Sequence, residues 1–280
     1  MNKQVKIAWI GKHFGEEPPL VRGKGPESKG KKQGAGTIFF SGCNLRCVFC
    51  QNYQIPQQGL GRLISVEELA NAMLDLHGQG AVNIDLVTPT LWADQIVAAV
   101  KIARGKGLCV PIVWNSNGYE KVSLIEALRG VVDIYLPDFK YADDTLAKKY
   151  SGVENYLETA KAAIRAMYEQ VGNLQLDDQG IATRGLMVRH MVLPGLMANS
   201  IGVLNEMAQI DTMIYVSLMS QYSPVYRSAE FPEINRPITD EEMDQVYDYA
   251  DFCGLKNGFR QKSDSARPMT PDFRKVNPFE

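Results

Sequence analysis

The sequence predicts an α/β fold built on a parallel sheet, and two observations carry that prediction. Short apolar runs of strand length alternate with longer amphipathic stretches along most of the chain. The chain, at 280 residues with 45% hydrophobic and 22% charged side chains, suits one domain with extensions and a full core. Thr37-Ile38-Phe39-Phe40 reads as the first strand. Ser65-Val66-Glu67-Glu68 is a capping box that opens a helix to about Gln79, with Leu69, Met73 and Leu76 on one face. Residues 83–87 read as the second strand and 94–106 as its helix, then 111–114 as the third strand with a helix around 121–129. Residues 131–136 form the fourth strand, followed by helical stretches at 143–150 and 154–171. The polar, glycine-flanked segment 172–185 reads as a surface insertion. Residues 186–193 form the fifth strand, stopped by Pro194-Gly195; 200–209 is its helix and 213–219 the sixth strand. After a long loop, Thr239-Asp240-Glu241-Glu242 is a second capping box, and Met243, Val246, Tyr247 and Ala250 give the last helix an apolar stripe. The alternation alone also allows a doubly wound sheet.

The two ends read differently. Residues 1–35 form an N-terminal extension wrapped outside the core, with a short strand at Lys6-Ile7-Ala8-Trp9-Ile10 and two prolines, Pro18 and Pro19, that forbid helix. Gly25-Pro26-Glu27-Ser28-Lys29-Gly30-Lys31-Lys32 partly imitates a phosphate-binding loop. It fails as one, because Lys32 stands where a magnesium-binding hydroxyl belongs and a strand follows instead of a helix. Residues 261–280 are polar, contain three prolines, and read as a C-terminal tail.

A net charge of −2 argues against general nucleic-acid or membrane affinity, and no apolar run reaches the length of a membrane span. The N-terminus lacks the apolar stretch of a secretory signal, so a cytoplasmic location is expected. Of five cysteines, Cys109 and Cys253 stand apart in apolar or helical sequence and read as core residues. The other three lie in Cys43-Asn44-Leu45-Arg46-Cys47-Val48-Phe49-Cys50, a C-x3-C-x2-C run. Three thiolates this close can surround one soft metal centre. A structural zinc site or an ordinary iron–sulfur cluster takes four protein ligands, so three on a four-iron cluster leave one iron open to a small molecule. A zinc knuckle completed by His13 or His77 is the competing reading, as is a loop that happens to hold three cysteines.

That spacing, Phe49 just before the third cysteine, and Gln51-Asn52 after it resemble the radical SAM superfamily. Within it, the likeness is to the enzymes that activate pyruvate formate-lyase and to their uncharacterised relatives. The resemblance spans residues 36–255 or so and implies a partial (β/α)6 radical SAM barrel over 36–260. It implies a [4Fe–4S] cluster on Cys43, Cys47 and Cys50, with S-adenosylmethionine (SAM) chelating the open iron. The implied reaction is reductive cleavage of SAM to methionine and a 5′-deoxyadenosyl radical, with flavodoxin or ferredoxin as electron donor. The radical then abstracts hydrogen from a glycyl radical enzyme as partner, from a small molecule, or from another macromolecule. A non-catalytic metal-binding protein is the reading from a different class.

In parallel α/β folds, sites form where strands end at their C-terminal side. The second strand ends in Thr88-Pro89-Thr90, where most activating enzymes carry a Gly-Gly-Glu type sequence for the SAM amino group; Thr88 and Thr90 would replace it. A simple proline turn is the plain reading. The third ends in Asn115-Ser116-Asn117-Gly118, similar to the family's Thr-Asn-Gly segment beside SAM and also an ordinary Asn-Gly turn. The fourth ends in Asp138-Phe139-Lys140, similar to the Asp-x-Lys of the activating enzymes; the two charges share one face and suit the zwitterionic methionine part of SAM. On the fifth strand, Arg189 and His190 point to opposite faces. The resemblance assigns Arg189 to SAM, leaves His190 as a core histidine or a substrate contact, and lays Phe49 against adenine. Gln221 and Tyr222 are weaker candidates after the sixth strand.

Overall fold

The computed structural model describes residues 4–21, 33–261 and 270–280. Strand β1 (Gln4–His13) is ten residues long, where the sequence suggested a short one. It pairs antiparallel with both β2 (Ala35–Phe40) and β3 (Arg62–Ser65). Its Val5 and Ile7 are buried, so β1 is an inner strand of the sheet and not an outer wrapping. The short helix α1 (Pro18–Val21) begins on the two prolines expected to forbid helix. In a first turn the missing proline N–H has no partner to lose, and the fixed φ is already helical. The phosphate-loop-like string at 25–32 lies outside the described residues.

Helix α2 (Val66–Gly78) opens on the expected capping box: Glu68 N donates to Ser65 Oγ at 3.1 Å and Ser65 N to Glu68 Oε2 at 2.7 Å. Ser65→Ala is expected to lower unfolding stability by about 1 kcal/mol in urea; an unchanged midpoint would show that water replaces the cap. There follow β4 (Ile84–Val87), α3 (Ala93–Gly105), β5 (Ile112–Ser116), α4 (Val122–Ala127), β6 (Ile134–Pro137), α5 (Asp144–Ser151) and α6 (Tyr156–Val171). The segment read as a surface insertion instead holds β7 (Gln175–Leu176), which pairs antiparallel with the start of β8 (Ala182–Met191). Helix α7 (Met197–Ile210), β9 (Tyr215–Met219), α8 (Asp240–Phe252) and β10 (Gly258–Arg260) complete the order. Sequence reasoning missed β10, whose three residues are too few to show a period.

The sheet runs β10-β9-β8-β6-β5-β4-β2-β1-β3, with β7 beside β8. The strands from β2 to β10 along that path are parallel, and the six strands expected from sequence are β2, β4, β5, β6, β8 and β9. The edges are β10 and β3, so this is an open barrel and not a closed one. Alternation sorts the side chains: Ile112 and Trp114 of β5 pack on the helix side, while Val113 joins Ile134, Leu136 and Met187 on the other face.

Residues 270–280, expected as a tail, return to the inner face of β1 and β2. Phe273 and Phe279 lie 5.1 and 5.9 Å from Phe39, ring to ring. Gln54 Nε2 donates to Asp272 Oδ1 at 3.0 Å and Phe273 N donates to Gln54 Oε1 at 2.7 Å. These two bonds tie the C-terminal segment to the loop that follows Cys50. No described helix is long and apolar enough to cross a membrane.

Candidate active site

A cavity of about 520 Å³ opens at the C-terminal ends of the parallel strands. Cys43, Cys47, Phe49 and Cys50 reach it from the loop after β2, and Thr88 from the end of β4. Asn115, Ser116 and Asn117 line it from β5, Asp138 and Lys140 from β6, and Arg189 from β8. Each strand contributes where its hydrogen-bonded ladder stops and the chain is free to turn.

The cysteine loop is pinned from several sides. Arg46 N and Val48 N donate to the backbone carbonyls of Ser151 and Tyr150 at 2.9 and 2.8 Å. Leu45 N and Asn117 Nδ2 both donate to Cys43 Sγ, at 3.4 and 3.3 Å, and Cys47 Sγ lies 3.0 Å from Ser151 Oγ. Burial pushes all three thiols above the ordinary cysteine range. Among the described residues no three His, Cys, Asp or Glu side chains are grouped to hold a single metal ion. Three soft sulfurs, with N–H groups aimed at one of them, are a donor set that could hold an iron–sulfur cluster with one position left open.

Lys140 Nζ meets Asp138 Oδ2 at 2.6 Å, as their shared strand face predicts. Arg189 Nε takes Asp138 Oδ1 at 2.9 Å, its Nη2 donates to Asn115 Oδ1 at 2.6 Å, and its Nη1 lies 3.4 Å from Glu16 Oε2. Burial opposes ionisation of Asp138, but Arg189 and Lys140 outweigh it and hold the carboxyl below its usual range. Thr88 sits at φ 58°, a left-handed conformation that a β-branched residue rarely adopts; its N–H donates to the Asn115 carbonyl at 2.9 Å. Phe49 is buried against Tyr222, ring centroids 5.9 Å apart. Gln221 lines the cavity, whereas the Tyr222 hydroxyl turns to the Ile234 carbonyl at 2.7 Å.

Besides Tyr222, two predicted residues do not reach the cavity. His190 points to the helix side, its Nδ1 2.8 Å from the Phe139 carbonyl and its Nε2 2.9 Å from Ser200 Oγ. Burial lowers its pKa to about 4, so it is a neutral core histidine. The cause is strand alternation: with Arg189 facing inward, its neighbour faces out. Thr90 begins a short 3-10 turn, and its hydroxyl donates to Glu120 Oε1 at 2.9 Å. Cys109, expected in the core, is exposed beside His77 at 3.4 Å, because Leu108 takes the buried position.

Sequence reasoning missed several residues. Glu120 is buried and also accepts from Trp114 Nε1 at 2.9 Å and Ser116 Oγ at 2.6 Å, fixing the end of β5. His13 at the end of β1, weighed from the sequence only as a zinc ligand, and Glu16 and Glu17 of the β1–α1 loop enter the cavity wall. Asp85, fully buried on β4, lies beside the polar side chains of Asn115 and Thr37. A carboxylate inside the apolar run Ile84-Asp85-Leu86-Val87 was the available signal. Burial pushes the Asp85 carboxyl up to about 7 against the pull of Arg189. A raised folded-state pKa means that the native chain holds a proton the unfolded chain releases, so stability falls as pH rises from about 4 to about 7. Asp85→Asn is therefore expected to gain on the order of 3 kcal/mol at pH 8 and little at pH 4 in urea unfolding. Equal gains at both pH values would show that Asp85 does not titrate in this range.

Comparison with known proteins agrees with this geometry. The radical SAM superfamily pattern matches residues 37–176, half of the chain. An uncharacterized protein of Methanocaldococcus jannaschii is 30% identical over 253 residues, 87% of this chain and 66% of that one, so the chain spans just under two thirds of that relative. The pyruvate formate-lyase-activating enzyme of Clostridium pasteurianum is 24% identical over 210 residues, 69% of this chain and 81% of that one. Among solved structures, the FeFe-hydrogenase maturase HydG of Carboxydothermus hydrogenoformans superposes with a TM-score of 0.57 at 12% identity, over 81% of this chain and 53% of that one, a likeness of fold. An open α/β barrel, three loop cysteines at its mouth and the family pattern across them converge: the chain belongs to the radical SAM superfamily, whose cofactors are a [4Fe–4S] cluster and S-adenosylmethionine.

Proposed function

We propose that the chain is an enzyme that binds a [4Fe–4S] cluster through Cys43, Cys47 and Cys50, binds SAM beside it, and abstracts hydrogen from a substrate held in the cavity. The observation that carries this reading is the convergence of three loop thiols with the polar strand ends Asn115, Asp138 and Lys140 on one cavity. When bound, these cofactors supply one-electron cleavage of the SAM sulfonium to methionine and a 5′-deoxyadenosyl radical. The chain's own residues bind, orient and shield. Asn117 and the Leu45 N–H stabilise negative charge on the Cys43 sulfur. Asp138 and Lys140 present opposite charges to a zwitterionic amino acid, and Arg189 fixes Asp138 in place. Phe49 offers an apolar wall for adenine, and Thr88 at the end of β4 offers its backbone and hydroxyl to the SAM amino group in place of the Gly-Gly-Glu type sequence of the activating enzymes. Phe39, Phe279, Met191 and Met219 add apolar surface that keeps water from a reactive intermediate. A reduced flavodoxin or ferredoxin is the fitting electron donor.

The likeness to a pyruvate formate-lyase-activating enzyme supports an activase acting on a glycyl radical enzyme. A second reading, a small-molecule substrate, is favoured by the walls themselves: the β1–α1 loop and Phe279 from the C-terminal segment both line the cavity. The test is anaerobic reconstitution with iron and sulfide, then SAM and dithionite, with 5′-deoxyadenosine and methionine measured. Both products are expected. Failure to assemble a cluster under these conditions would sink the enzyme reading.

A further inference from the structure

Ser151 is the last residue of α5 and is fully buried. Main-chain bonds set it opposite Cys47: the N–H groups of Arg46 and Val48, on either side of that cysteine, donate to the carbonyls of Ser151 and Tyr150. Ser151 Oγ stands 3.0 Å from Cys47 Sγ on one side and 2.7 Å from the Tyr141 hydroxyl on the other. Tyr141 is also fully buried, its ring edge-on to Tyr156 with centroids 5.2 Å apart. Once Cys47 is a ligand, the direction of both bonds follows. A ligating thiolate carries no proton, so Ser151 donates to the sulfur. A serine hydroxyl has a single proton to give, so the other bond runs from the phenol, which keeps its proton at neutral pH. The order is Tyr141 to Ser151 to Cys47, and each donation strengthens the next.

We propose that Tyr141 and Ser151 are positioning residues that raise the reduction potential of the cluster through Cys47 and so ease entry of the electron. The inference rests on the reading of Cys43, Cys47 and Cys50 as cluster ligands. An electron taken up by an iron–sulfur cluster adds negative charge that the ligating sulfurs share, so a hydrogen bond donated to one of them favours the reduced form. Lys140 acts by its charge on all three sulfurs, whereas the Ser151 hydroxyl singles out Cys47. Asn117 does the same for Cys43, but from the cavity wall. Tyr141 and Ser151 do not line the cavity; they reach the cysteine loop from the α5 side. Substitution of either hydroxyl therefore alters the surroundings of one sulfur and leaves the cavity wall in place.

The test is a spectroscopic redox titration of the anaerobically reconstituted wild type, Ser151→Ala and Tyr141→Phe, without SAM, with iron content and thermal midpoint recorded for each. Ser151→Ala is expected to lower the one-electron reduction constant about fivefold, a potential about 40 mV more negative. Tyr141→Phe keeps the ring and the serine but frees the serine proton to turn away, and is expected to lower the constant about twofold, or about 20 mV. A potential unchanged or less negative in Ser151→Ala with its cluster intact overturns the proposal. Where Ser151→Ala does not hold iron, Tyr141→Phe decides, and an unchanged potential there overturns it equally. A role in packing alone would move the thermal midpoint and leave the potential where it was. A wild type that assembles no cluster overturns the ligand reading and the relay with it, while an intact cluster indifferent to both hydroxyls overturns the relay alone.

Discussion

Cys50→Ala is expected to reduce 5′-deoxyadenosine formation to the level of a protein-free reaction. The loop supplies only three sulfurs, and no other cysteine lines the cavity to replace a lost one. Cys50 is also closed into the turn by its own N–H, which donates to the Cys47 carbonyl at 3.2 Å, so the backbone holds the remaining two thiols in place without it. Loss of product then reports on the missing ligand and not on a collapsed loop. Asn117→Ala gives the contrast. It removes the side-chain donor to Cys43 Sγ but no ligand, and outer partners of this kind are worth about 10- to 100-fold in metal affinity or activity. Cys109→Ala, on the exposed surface beside His77, is expected to behave as wild type. Should Cys50→Ala retain product formation while Cys109→Ala loses it, the ligand assignment fails. Iron content and the visible absorption of the reconstituted variants provide the check that does not depend on turnover.

The residues that could be read from the sequence share one property: their position follows from a local rule. Six parallel strands were legible because each is an apolar run bounded by a turn, and the polar residue just past each run falls at the C-terminal edge of the sheet. That rule located Asn115, Asp138 and Lys140, and period-two alternation separated Arg189 from His190. The cysteine spacing needed no fold at all. What escaped depends on contacts between distant parts of the chain. Glu16 and Glu17 face Arg189 across more than 170 positions, and nothing near either end of that separation announces it. Phe273 and Phe279 sit in a segment whose proline and charge content reads as solvated, yet two aromatic rings and the Gln54 clamp are enough to dock it on β1 and β2. Thr90 was misplaced for a local reason. A 3-10 turn directly after Pro89 rotates its hydroxyl toward Glu120, and turn geometry of that kind is decided by packing and not by composition.

Arg189→Met is expected to be among the most destabilising single changes in the molecule, at about 3–5 kcal/mol in urea unfolding near neutral pH. Methionine keeps much of the stem and its packing, so the loss isolates the charge. The guanidinium touches Asp138 and Asn115 directly and approaches Glu16, all within the barrel. Without it, Asp138 retains only Lys140, and Glu16, Glu17 and Asp85 face one another with no buried cation between them among the described residues. The pH dependence separates this cause from simple loss of packing. In the wild type the Asp138 carboxyl is held below its usual range, so its contribution is present above the unfolded pKa and is lost as pH falls through the folded one. In the variant the carboxylates are free to rise and take up protons, so the destabilisation is expected to shrink between pH 8 and pH 5. Lysine at the same position restores a charge but not the forked geometry that reaches Asp138 and Asn115 together, and is expected to recover only part of the loss. A destabilisation equal at both pH values, with no recovery by Arg189→Lys, would mean that the side chain acts by filling space and that the charges around it are balanced by other means.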